Sequence, residues 1–138
     1  VTGVVLASLG HVVTCVDVDP AKLAILRSGK PTIYEPGLDK LMAKGIADGK
    51  LRFTPDVAEA MADAEIVFIA VGTPPAEDGD VDLRYVRSAA TDIAKAIHRP
   101  VVVVNKSTVP VGTAELVADI LRAEGVPEEM FDVVSNPE

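Results

Sequence analysis

The chain has 138 residues, 49% of them apolar, and 13 basic against 21 acidic side chains give a formal net charge of -8. That length and apolar content allow one domain with a real core and exclude a disordered chain. The acidic balance would repel a phosphate backbone, so no nucleic-acid partner is expected. Aromatics are few and Trp is absent. Val and Ala must carry the core, as in sheets buried on both faces by helices. The longest apolar runs, such as residues 101–104, are too short to span a membrane, and no basic start followed by an apolar stretch reads as a signal peptide. No membrane partner is expected. The single cysteine, Cys15, cannot form an internal disulfide, which points to the cytoplasm.

In chain order, strand and helix alternate. Val1, Val4, Val5 and Leu9 recur at helical spacing and predict an amphipathic helix over the first nine residues. Gly10-His11 breaks it, and Val12 to Val16 reads as a buried strand ending in Asp17. Asp19-Pro20 starts a helix, with Asp as N-cap and Pro at its first position. Leu23 and Leu26 give that helix an inner face, and Ser28-Gly29 stops it. A loop follows, then a short helix with Leu38, Leu41 and Met42 inward. Leu51 to Phe53 is a short strand, residues 56–62 a small helix, and Ile66 to Val71 a continuous apolar strand stopped by GTPP. Leu83, Val86, Ala90, Ile93, Ala94 and Ile97 form a helical stripe. Val101 to Val104 is a strand stopped by NKSTVPVG, Leu116, Val117, Ile120 and Leu121 line another helix, and Asp132 to Val134 begins a last strand. Regular alternation with fully apolar strands predicts an α/β fold with a parallel sheet covered on both faces.

In such sheets ligands bind at the carboxyl ends of the strands. The residues there are Asp17, Gly72-Thr73-Pro74-Pro75, Lys106-Ser107-Thr108 and Ser135-Asn136-Pro137-Glu138. An acidic residue at the position of Asp17 accepts hydrogen bonds from adenosine ribose hydroxyls in dinucleotide-binding folds, about 20 residues after a glycine-rich phosphate loop. Counting back places that loop, and the strand feeding it, before Val1. The bland alternative is a polar strand end. The ribose role is favoured because Asp19 already supplies the cap and leaves Asp17 without a structural duty. Lys22, one turn after Asp19, could reach the adenine-ribose edge, although a lone lysine on a first turn is usually just solvated. Gly72 lets backbone approach a ligand and Thr73 presents a hydroxyl, while a plain strand-ending turn fits the same spacing. Ser107 and Thr108 lie where neither can cap the next helix. Thr113 is the better cap, with Glu115 suited to its first turn, so two hydroxyls stand at a strand end without structural duty. His11 and His98 read as surface residues, Cys15 as a small core residue, and Gly3 as close helix–sheet packing. Of Asp78, Asp80 and Asp82, one is expected to cap the long helix and the rest to be solvated.

The segments VDVDPAKLAILRSGKPTIYEPGLDKLM, VFIAVGTPPAEDGDVDLRYV, NKSTVPVGT and DVVSNPE together resemble the UDP-glucose 6-dehydrogenase family, in order and over the whole chain. The resemblance implies a doubly wound, Rossmann-like parallel sheet of order 3-2-1-4-5-6, lacking here its first strand, which would lie between the strands at residues 12–17 and 66–71. It implies NAD as cofactor and the oxidation of the C6 hydroxymethyl of UDP-glucose to a carboxylate, by two hydride transfers with a covalent thiohemiacetal on a cysteine between them. Asp17 and Lys22 match adenosine-side NAD contacts, Thr73 and Ser107 further cofactor contacts, and Thr108 the group that positions the catalytic water. Glu138 opens the substrate loop. The nucleophilic cysteine belongs to a later domain, and Cys15 does not match it. Residues 1–138 then form an incomplete N-terminal dinucleotide-binding domain, whose central and C-terminal substrate domains lie beyond it, in a cytoplasmic enzyme of nucleotide-sugar metabolism expected to be a homo-oligomer. Two rivals are the cofactor domain of a hydroxyacid or 6-phosphogluconate-type dehydrogenase and a non-catalytic NAD-sensing or scaffold module. The IYEPGL and KSTVP segments speak against the former.

Overall fold

The computed structural model describes residues 2–32 and 35–136. The fold divides into two compact units, Val1–Ala60 and Met61–Glu138.

The first unit runs α1 (Thr2–Ser8), β1 (Val13–Val16), α2 (Pro20–Arg27), α3 (Leu38–Ala47) and β2 (Leu51–Thr54), and α4 (Val57–Met61) runs from its last residues into the first residue of the second. β1 and β2 pair in parallel, from Val13 opposite Leu51 to Val16 opposite Thr54. Val4 and Ala7 of α1, Leu38 and Met42 of α3 and Leu51 of β2 form the core, with Val13, Cys15, Leu26, Ile46 and Phe53 packed against it. Two glycines let helices lie close to the strands. A Cβ on Gly3 would stand 2.9 Å from the Cys15 sulfur, and one on Gly45 3.1 Å from the Leu51 Cβ. The expected close packing at Gly3 is therefore present. The expected inner faces need correction: Val5, Leu9 and Leu41 are exposed. Val4 keeps its expected inward place beside Ala7, and the small Gly3 lies against β1, where a larger side chain would meet Cys15.

The second unit runs β3 (Ile66–Ile69), α5 (Arg84–Ala96), β4 (Val101–Asn105), α6 (Thr113–Ala123), a 3-10 turn (Glu128–Met130) and β5 (Phe131–Ser135). Its sheet has the order β3-β4-β5, all parallel. β4 lies in the middle, with Val101, Val103 and Val104 buried. Val86, Ala90, Ile93 and Ala94 are the buried stripe of α5, and Val117, Ala118 and Leu121 that of α6. β3 is shorter than the apolar run predicts, and its Ile66 and Phe68 are exposed on one face. The expected cover on both faces therefore fails at β3, where alternate side chains point to opposite sides of the sheet. In the order 3-2-1-4-5-6, strands 3-2 and 4-5-6 are neighbours, and the pairs observed correspond to these. Among the described residues β1 pairs only with β2 and β3 only with β4.

Candidate functional site

The candidate residues fall at the carboxyl ends of β1, β3 and β4, as the α/β rule requires. At β1, Asp19 caps α2: its Oδ1 accepts the N–H groups of Ala21 and Lys22, and Pro20 occupies the first helical position. This cap brings the Lys22 ammonium back over the strand end, 3.2 Å from Asp17 Oδ2. Asp17 Oδ1 accepts the N–H of Asp19 at 3.0 Å. Asp17 therefore does have structural duties, contrary to the expectation, because the tight turn into α2 folds an N–H and an ammonium onto its carboxylate. Burial pushes the Asp17 carboxyl up, but the hydrogen bond from Asp19 and the charge and hydrogen bond of Lys22 outweigh it and hold it below its ordinary value. A partly exposed, ionised carboxylate with a paired cation beside it suits ribose hydroxyls, which donate to the one and accept from the other.

In the second unit, the loop after β3 carries Gly72 and the half-buried Thr73. A Cβ on Gly72 would meet nothing within 4 Å, so the main chain there is open to a ligand. The loop is fastened downstream: Pro74 accepts the N–H of Asp82 at 2.8 Å, and Pro75 bridges Val81. Asp82 accepts the N–H of Arg84 at 3.0 Å, but the N-cap position of α5 is Leu83, which offers no side-chain cap, so the expected acidic N-cap is displaced by one residue.

After β4, Ser107 is buried and its hydroxyl donates to the carbonyl of Val71 at 2.9 Å. Two expectations change here. The Ser107 hydroxyl has a structural duty, because strand pairing puts the β4 loop beside the end of β3. Thr113 is not the cap of α6: Gly112, at φ 93°, occupies that position, and the Thr113 hydroxyl donates back to Pro110 at 2.8 Å. The left-handed turn at Gly112 leaves Thr113 already inside the helix. Thr108 is exposed at the loop surface. Glu138 lies outside the described residues. The structure thus brings Asp17 and Lys22 together in one unit and fastens the Ser107 loop to the Thr73 loop in the other.

Sequence pattern does not single out Asn105. Asn105 is fully buried, accepts the Ser107 N–H with its side chain and the Asn136 N–H with its main chain. A polar residue ending an all-valine strand was the available signal. His11 and His98 are exposed, and His98 rests its ring nitrogens on the carbonyls of Ala62 and Ala96. Cys15 is half-buried, and burial pushes its thiol up. A hollow of about 200 Å³ lined by Ser8, Gly10, Lys44, Asp48 and Lys50 lies toward the start of β2 and includes none of the candidate residues. Among the described residues no three His, Cys, Asp or Glu side chains gather to hold a metal, and no helix is long and apolar enough to cross a membrane.

UDP-glucose 6-dehydrogenase of Rhizobium meliloti (strain 1021) is 50% identical over all of this chain and 32% of its own length. UDP-glucose 6-dehydrogenase YwqF of Bacillus subtilis (strain 168) is 46% identical over all of this chain and 31% of its own length. The chain thus spans about a third of the curated relatives it matches. Among solved structures, a UDP-glucose dehydrogenase of Pyrobaculum islandicum superposes with a TM-score of 0.92 at 46% identity, over 99% of this chain and 32% of that one. A GDP-mannose dehydrogenase of Pseudomonas aeruginosa superposes at 0.94 with 35% identity, over 99% and 33%. Residues 1–138 match the UDP-glucose/GDP-mannose dehydrogenase family, NAD binding domain. The chain belongs to that family as its NAD-binding domain.

Proposed function

We propose that this domain serves a UDP-glucose 6-dehydrogenase, which oxidises the C6 hydroxymethyl of UDP-glucose to a carboxylate. The observation that carries the reading is the 45–50% identity to UDP-glucose 6-dehydrogenases along the entire chain, against 35% to the GDP-mannose enzyme. The slightly higher TM-score of the latter weighs less. Backbone shape is common to the family, whereas substrate choice resides in side chains.

NAD, when bound, supplies the hydride acceptor for the two oxidation steps. Asp17 receives the adenosine ribose hydroxyls and Lys22 approaches the same sugar, with the ion pair between them keeping both side chains oriented. Gly72 gives the cofactor room beside the main chain, and Thr73 and Ser107 contact it. Thr108 positions the water that completes the second oxidation, and Glu138 opens the substrate loop. Cys15 is no nucleophile: its half-buried thiol is held protonated, and the thiohemiacetal cysteine belongs to a later domain. Residues 1–138 act as the N-terminal dinucleotide-binding portion of a cytoplasmic homo-oligomer whose substrate domains follow.

The test is turnover by the full-length enzyme that carries this domain. With UDP-glucose it should form two NADH per sugar, and with GDP-mannose far less. Faster oxidation of GDP-mannose would overturn the sugar assignment.

A further inference from the structure

Asn105 ends β4 after four consecutive valines and is fully buried. By strand alternation it shares a face with Val101 and Val103. Its Oδ1 accepts the N–H of Ser107 at 3.2 Å, a turn in which a side chain replaces a main-chain carbonyl. Its own carbonyl accepts the N–H of Asn136 at 2.9 Å. Its register partner Ile69 accepts the N–H of Lys106 at 2.9 Å, and Val71 accepts the Ser107 hydroxyl. Asn105 thus holds its own loop with its side chain and the segment after β5 with its main chain, while the Ser107 hydroxyl reaches the segment after β3.

Its Nδ2 is buried and meets no partner. An amide with an unmet buried donor lowers stability, and an apolar side chain would continue the valine strand without that penalty. Packing alone therefore does not account for an asparagine here, whereas the acceptor it offers to Ser107 does.

We infer that Asn105 is a positioning residue, whose side-chain acceptor fixes the turn into the Ser107–Thr108 segment, from which the Ser107 hydroxyl reaches Val71, and so sets the loop that meets cofactor and water. The inference rests on the roles proposed above for Ser107 and Thr108. Threonine and valine are nearly isosteric, but only threonine offers an oxygen that can take the N–H two residues on. The comparison of Asn105→Thr with Asn105→Val in the full-length enzyme isolates the acceptor. Asn105→Val should raise the Kd for NAD about tenfold and lower kcat about tenfold, as expected of a displaced site loop. Asn105→Thr should stay within about threefold of the unaltered enzyme on both, and the two variants should melt within a few degrees of each other. Should Asn105→Val not fold, Asn105→Ala against Asn105→Ser gives the same contrast. Variants of a pair that behave alike, whether both normal or both impaired, overturn the inference. If the unaltered enzyme binds NAD but leaves UDP-glucose untouched, the sugar assignment falls, and Asn105 is judged on the Kd pair by the same criterion.

Discussion

Replacing Asp17 with alanine should weaken NAD binding strongly while barely disturbing the fold. The carboxylate has two protein contacts, the Asp19 N–H at 3.0 Å and the Lys22 ammonium at 3.2 Å. The ion pair is open to solvent, with 27% of the Asp17 side chain and 47% of the Lys22 side chain exposed, so its loss costs about 0–1 kcal/mol of stability. A hydrogen bond from a ribose hydroxyl to an ionised carboxylate is worth about 1.5–3 kcal/mol, which corresponds to a rise in Kd of roughly 10- to 150-fold. Calorimetric titration of NAD into the full-length Asp17→Ala enzyme reads this directly. Asp17→Asn keeps an acceptor for the Asp19 N–H but removes the charge that repels a 2'-phosphate. It should therefore narrow the preference for NAD over NADP, which no arginine directly after Asp17 opposes. The pH dependence has a definite sign. The folded carboxyl lies below its ordinary value, so its contribution is complete above that ordinary value and is lost as pH falls through the depressed one. The NAD affinity owed to Asp17 should thus be flat through neutrality and disappear only on strong acidification. An unchanged Kd in Asp17→Ala, or equal turnover of NAD and NADP by the unaltered enzyme, would refute the ribose assignment.

Thr108→Val should lower kcat of the full-length enzyme by about tenfold or more at an almost unchanged melting temperature, because its side chain is exposed. Ser107→Ala should instead cost about 1 kcal/mol in chemical denaturation, since its buried hydroxyl bonds Val71. Gly3→Val should destabilise by about 1–3 kcal/mol, because a Cβ there already meets the Cys15 sulfur at 2.9 Å. Cys15→Ala in the same chain should restore part of that loss, and no restoration would place the strain elsewhere. Iodoacetamide should modify native Cys15 slowly at mildly alkaline pH, and at the rate of a free thiol after unfolding, because burial raises its thiol.

Local chemistry in the sequence determined a good part of this protein. The Asp19-Pro20 start of α2, the valine run of β4 and the stripe of α5 are all short-range signals, and each stands where the pattern predicts. The placement of Asp17, Thr73, Ser107 and Thr108 at strand ends follows from alternation of strand and helix. Tertiary structure decided what periodicity alone leaves open. Val5, Leu9, Leu41, Ile66 and Phe68 are as apolar as the core residues, yet they are exposed, because burial depends on which neighbours an element receives. The partner of the Ser107 hydroxyl lies 36 residues away, brought there by the register of β3 against β4. The same sheet buries Asn105 and turns an inconspicuous strand end into an anchor for its own loop and for the segment after β5. A hydrogen-bonding group carries its capacity in the sequence, but its partner is selected only when distant strands come into register.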